Sequence, residues 1–179
     1  MKTIQQQLRL LGACASAREW AEDKTASEIW TSCERGDWLL WWAARFADRA
    51  DLHGRVVLAA CDCAELALPV FEARYADDRR PRTAIETARR YARGEATIDD
   101  VRVAADAARA AAAAAYAAND AAADAAADAA YPAAYAADAA ANAAYAAIAA
   151  NAAGVGAARL RQCAEVVRRW IPVMPEIEG

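Results

Sequence analysis

The residues best equipped for chemistry are the arginines between positions 79 and 93: Arg79, Arg80, Arg82, Arg89, Arg90 and Arg93, with Glu86 among them. The first three cluster where Pro81 marks the first turn of a helix. Positive charge there opposes the helix dipole, so these side chains call for an anion. A bound phosphate or an acidic partner would supply one. So would Asp77 and Asp78 just upstream, or an acidic stripe later in the chain. Glu86 lies four residues from both Arg82 and Arg90, a spacing that allows an Arg–Glu–Arg ladder on one helix face. Arg89, Arg90 and Arg93 sit at the favourable end.

A second constellation is aromatic. Trp38, Trp41, Trp42 and Arg45 follow one another at i, i+3, i+4 and i+7, one face of a helix. Three indoles bury a large area, and Arg45 can lie over Trp41 or Trp42 as a cation–π partner. The face reads as a core anchor or as an aromatic hot spot for a partner. Trp20, Trp30 and Trp170 read the same way.

Cys61-Asp62-Cys63, Cys33 and His53 are a poor metal set, because Cys-x-Cys on a helix points its thiols apart. His53 beside Gly54 reads as a loop or cap residue. No nucleophile is paired with a base, no Gly-rich loop follows a strand, and no carboxylate pair has glycosidase spacing. We therefore expect a non-enzymatic chain with no cofactor and no metal.

The elements that must carry these residues are helices. Thr3 can cap a short helix ending near Gly12, and CASAREWAE forms a second. Thr25-x-x-Glu28 has the form of a capping box and opens a third, which Gly36 stops. Asp37 caps WLLWWAARFADRA, which ends before His53-Gly54. RVVLAACDCAELAL follows to Pro69, then a short VFEARY element, then RTAIETARRYAR to Gly94. Thr97 with Asp100 opens a further helix, and ARLRQCAEVVRRWI is the last. Nothing reads as a hairpin or a strand. The fold class is all-α, a multi-helix bundle of one domain over 1–179. It comprises a Trp/Arg part (1–95), alanine-rich helices (96–153) and a C-terminal helix (157–171).

Residues 98–153, the alanine tract (104–153) with the helix that enters it, would make a straight rod of about 80 Å. A compact chain of this length is only about 40 Å across, so the tract must kink or fold back. Pro132 is the expected place, with Asn119-Asp120 as a second candidate. Its larger residues step by three or four: Tyr116, Asp120, Asp124, Asp128, Tyr131, Tyr135, Asp138, Asn142, Tyr145, Ile148 and Asn151. The mean step of about 3.5 makes them one stripe. That stripe is either a solvated face or a recognition ladder, with alanine on the other faces letting helix backbones approach closely.

Five aspartates and one arginine in the tract carry the whole net charge of −4. The balanced remainder gives no global field for nucleic acid or an anionic membrane. Regular Asp and Asn argue against a membrane span, and the N-terminus lacks the apolar run of an export signal. Five cysteines read as reduced cytoplasmic thiols.

SCERGDWLLWWAAR, RPRTAIETARRYARGEATIDDVRVAADAA, the Ala/Tyr/Asp tract and RLRQCAEVVRRWIP together resemble the putative immunity protein family of bacterial polymorphic-toxin loci and phage genomes. The resemblance implies a protein that binds and neutralises a toxin, with no active site. Asp37, Trp38, Trp41, Trp42, Arg79, Pro81, Arg82, Glu86 and Arg90 carry the motifs. Partner contacts are expected at Arg79, Arg80 and Arg82, or at Tyr116, Tyr131, Tyr135 and Tyr145. Two alternatives stay open. One is a self-assembling helical protein, a homo-oligomer packed through its alanine faces. The other is an anion- or nucleic-acid-binding module using residues 79–93.

Overall fold

The computed structural model describes residues 3–117, 121–141 and 156–175, without the side chains of a few helical residues, Tyr116 among them. Ten helices are described and, among these residues, no strand. They are α1 (Ile4–Leu10), α2 (Ala15–Trp20), α3 (Ala26–Ser32), α4 (Gly36–Ala44), α5 (Ala50–Glu65), α6 (Leu68–Arg74), α7 (Arg80–Ala92), α8 (Ile98–Tyr116), α9 (Ala121–Ala141) and α10 (Ala157–Trp170). The all-α bundle expected from the helix signals is the fold.

Three helix starts follow directly from local chemistry. Thr3, Thr25 and Thr97 each accept a hydrogen bond from the backbone three residues on. In return, Gln6, Glu28 and Asp100 each accept one from the threonine's own backbone N–H. These reciprocal caps satisfy donors that a helix start would otherwise leave open.

The α9 helix is the axis of the larger layer. It packs against α8, α7, α5 and α6, while α10 packs on α4 and α5. Its inward residues are alanines: Ala126, Ala130, Ala133, Ala134, Ala136, Ala137 and Ala139 are at most 1% exposed. On α8, Ala105, Ala108 and Ala112 are fully buried in the same way. A buried methyl contributes only about 0.8 kcal/mol of transfer energy. This layer therefore depends on many small contacts between closely approaching backbones.

The fold-back is not where Pro132 suggested. The α9 helix is continuous across Pro132, which is fully buried. The chain instead reverses between Ala117, the C-cap of α8, and Ala121, the start of α9. So short a connection makes the two helices antiparallel neighbours. Asn119-Asp120, the second candidate break, falls in that interval, outside the described residues. Burial against the surrounding helices outweighs the roughly 3 kcal/mol that proline costs a helix interior.

Two other boundaries differ from expectation. The α4 helix ends at Ala44, and α5 runs straight through His53-Gly54. Packing does not demand the glycine there: a Cβ at Gly54 would sit an ordinary 3.4 Å from the Ala92 carbonyl. Gly36 begins α4 and does not merely end α3. A Cβ on it would lie 2.4 Å from the Cys163 Cβ and 2.6 Å from the Ala164 nitrogen. The missing side chain lets α4 cross α10 at backbone contact.

Candidate functional site

The arginine segment occupies α7 and the turn before it. Its anions come from neighbouring elements. Asp78 accepts from Arg80 Nε at 2.9 Å and Nη2 at 2.6 Å, and also from the Arg80 backbone N–H at 3.1 Å. One carboxylate thus answers both the guanidinium and the positive end of α7. The bond to Arg80 holds Asp78 below the usual carboxylate range. Glu72 of α6 receives Arg82 through Nε and Nη2, both at 2.6 Å, a two-pronged pair. Arg79 is the most open of the three, 70% exposed, with Glu86 only at 3.9 Å.

The Arg82–Glu86–Arg90 ladder does not form. Arg82 turns to Glu72, and Arg90 donates to the Glu95 carbonyl at 3.0 Å. A bidentate partner on an adjacent helix outcompetes an exposed i, i+4 contact of a few tenths of a kcal/mol. Pro81 is buried in the first turn.

Deeper along α7, Arg89 ties three helices together. Its Nη2 lies 2.6 Å from both Asp62 and Glu65 of α5, and Trp170 of α10 donates its indole N–H to Asp62 at 2.7 Å. Hydrogen bonding from Arg89 lowers the Glu65 pKa, and the same bond raises that of Arg89. The sequence reading missed Asp62, Glu65 and Glu72 as partners. Asp62 and Glu65 share a face at i, i+3, a signal that was available, whereas the pairing with α7 depends on which helices touch.

The aromatic face of α4 is divided. Trp42 is buried and donates its N–H to the Pro175 carbonyl at 3.0 Å. Trp38 and Trp41 are half-buried. Arg45 lies 4.9 Å above the Trp41 ring, the cation–π contact that the spacing allowed. Asp37 is not the cap of α4, because that position belongs to Arg35. Asp37 is buried in the first turn and held by Arg35 through bonds of 2.8 and 2.6 Å. Arg35 also stacks over Trp38, and Lys24 over Trp20. These indoles, with Trp30, line an apolar cavity of about 410 Å³.

The tyrosine stripe is partly covered. Asp124 and Asp128 are exposed, whereas Tyr131, Tyr135 and Asp138 are half-buried. The two tyrosine rings stack at 6.2 Å, and Asp138 is paired with Arg109 of α8. The Tyr116 side chain and the whole of Tyr145 lie outside the described residues, as do Asn142, Ile148 and Asn151.

Cys61 and Cys63 diverge on α5. Cys61 donates towards the Ile85 carbonyl at 3.8 Å, Cys63 towards the Cys163 carbonyl at 3.9 Å. Burial pushes the Cys61 thiol up to about 12. A hydrogen bond with Cys163, then burial, push Cys63 well above the ordinary thiol range. Neither is poised as a nucleophile or ligand. All five cysteines are free, and among the described residues no group of three His, Cys, Asp or Glu is placed to hold a metal. His53 lies within α5, edge-on to Tyr91. No described helix is long and apolar enough to cross a membrane.

No curated protein and no solved structure matches the chain. The family model described as Imm-5 like putative immunity protein matches residues 49–172, from the N-cap of α5 to just beyond α10. That interval holds the arginine corner, the Arg89 tie and the alanine layer, and it is well over half of the sequence. The chain belongs to the Imm-5 like putative immunity protein family.

Proposed function

We propose that this protein is a non-enzymatic, cytoplasmic inhibitor of a bacterial toxin, acting by steric occlusion. The family match over residues 49–172 carries the reading. The corner formed by Arg79, Arg80 and Arg82 is the contact that the geometry favours. It is exposed at one end of α7, and Glu72 and Asp78 hold two of its guanidiniums in fixed positions. Preorganised charged side chains lose little entropy on binding. The half-buried Tyr131 and Tyr135 offer less free surface.

Capture of the partner from the native host, followed by co-expression of the captured toxin with this chain, tests the proposal. The native chain restores growth, and Arg79→Glu with Arg80→Glu lowers toxin affinity by about tenfold or more. Absence of any protection, with both proteins folded, rejects the inhibitor role.

One observation favours self-association as a second reading. Ala110, Ala113, Ala114 and Ala117 form an exposed face of α8. Light scattering of a concentrated solution decides this: a mass of one chain rejects it. The nucleic-acid reading has less support, because the carboxylates of Asp78, Glu72 and Asp62 beside Arg80, Arg82 and Arg89 leave little net positive charge for a phosphate backbone. Retention on oligonucleotides at low salt would revive it.

A further inference from the structure

The cavity among α1–α4 is built by residues 8–42, ahead of the family-matched interval 49–172. Its volume of about 410 Å³ falls within the range of small-molecule sites, roughly 300–1,000 Å³. Flat apolar surfaces dominate the lining: Trp20, Trp30, Trp38, Trp41 and Trp42 all contribute. Trp20 and Trp38 meet edge to face at 6.1 Å, so these rings form a shaped wall. A planar ring system is the occupant such walls accept.

Charge selects further. Lys24, Arg35 and Arg45 sit 4.5, 4.6 and 4.9 Å from the centres of the Trp20, Trp38 and Trp41 rings, all of which line the cavity. Asp37 is the one carboxylate among the lining residues, and Arg35 takes both of its oxygens. That pair cancels itself and recruits no cation. Lys24, which also donates to the Trp20 carbonyl at 2.7 Å, and Arg45 remain as positive charge beside the indoles. The nearby acids Glu19, Glu22, Asp23 and Glu28 are exposed and, like Lys24 and Arg45, lie outside the lining, but the two cations stand over indoles that form it. From these observations we infer that the cavity is a binding site for a small planar aromatic anion, its ring between the indoles and its acid group towards Lys24 and Arg45. The site is independent of the toxin-binding reading.

Naphthoate is the probe, with naphthylmethylammonium as its oppositely charged counterpart. The full chain is titrated by tryptophan fluorescence and calorimetry. Cys14 supplies a second readout, since it lines the cavity and is the exposed thiol of the five. Naphthoate is expected to quench saturably at one per chain and to slow alkylation of Cys14 by iodoacetamide. The ammonium should bind at least about tenfold more weakly, a difference of about 1.4 kcal/mol. Ala17→Phe, which fills the cavity from α2, should abolish binding. Lys24→Glu with Arg45→Glu, changes at side chains not fully buried, should remove the preference for the anion with the fold intact by circular dichroism. Equal binding of the two probes by the native chain overturns the proposal. So does no binding of either, or unchanged naphthoate affinity in either folded variant.

Discussion

The two packed regions of this molecule are built from opposite materials. Around α1–α4 and α10 the interior is filled by large side chains, Trp30, Trp42, Leu39 and Leu40, each at most 4% exposed. Around α8 and α9 it is filled by alanine, and the larger residues Asp124, Asp128, Tyr131 and Tyr135 face outward or lie half-covered. Few large residues leave gaps between them, and the apolar cavity lies in that region. Many small residues allow backbones to close on one another, so the limit becomes the room for one more carbon. The first region should be most sensitive to deletion and the second to insertion.

Trp30→Ala should show the largest effect. The side chain is 3% exposed and donates to the Ile171 carbonyl at 3.1 Å, so truncation removes area and leaves an acceptor unpaired. A loss of about 4 kcal/mol is expected from the urea midpoint. Ala134→Leu, at a fully buried α9 position, should cost about 3 kcal/mol by forcing α9 from its neighbours. A cost under about 1 kcal/mol would mean that the alanine layer has slack, and the contrast between the regions would fail.

Gly36→Ala tests the seam between α4 and α10. Its Cβ would meet the Cys163 Cβ and carbonyl carbon and the Ala164 nitrogen inside 3 Å, and about 2 kcal/mol should be lost. The smallest effect concerns pH. Glu65 titrates below its ordinary value of 4.5 because Arg89 bonds its charged form. A lowered carboxylate contributes fully above 4.5 and loses its contribution as pH falls through the folded value. Glu65→Gln should therefore lower the midpoint at neutral pH and flatten its decline under acid. An unchanged acid limb would show that the Arg89 tie carries no pH dependence.

Much of the fold was legible in the chain. Thr25-x-x-Glu28 and Thr97-x-x-Asp100 announced their helices because a capping box uses neighbours three residues apart. The i, i+7 spacing of Trp38 and Arg45 placed them on one face, and Arg45 does stack on Trp41. The site was less legible. That Arg82 prefers Glu72 to Glu86 depends on α6 lying beside α7, and the cavity depends on how four short helices converge. Pro132 misled because a local rule about a missing N–H says nothing of the burial that sustains the helix.

Helix identity, the alanine-for-core exchange and the confinement of net charge to the tract were determined by sequence alone, since propensity, capping and composition act over a few residues. Only the tertiary structure decided where the tract reverses, which carboxylate each arginine takes and which indoles share a cavity. Those outcomes are competitions between distant partners. They are settled by which helix faces approach most closely, and no local spacing encodes that.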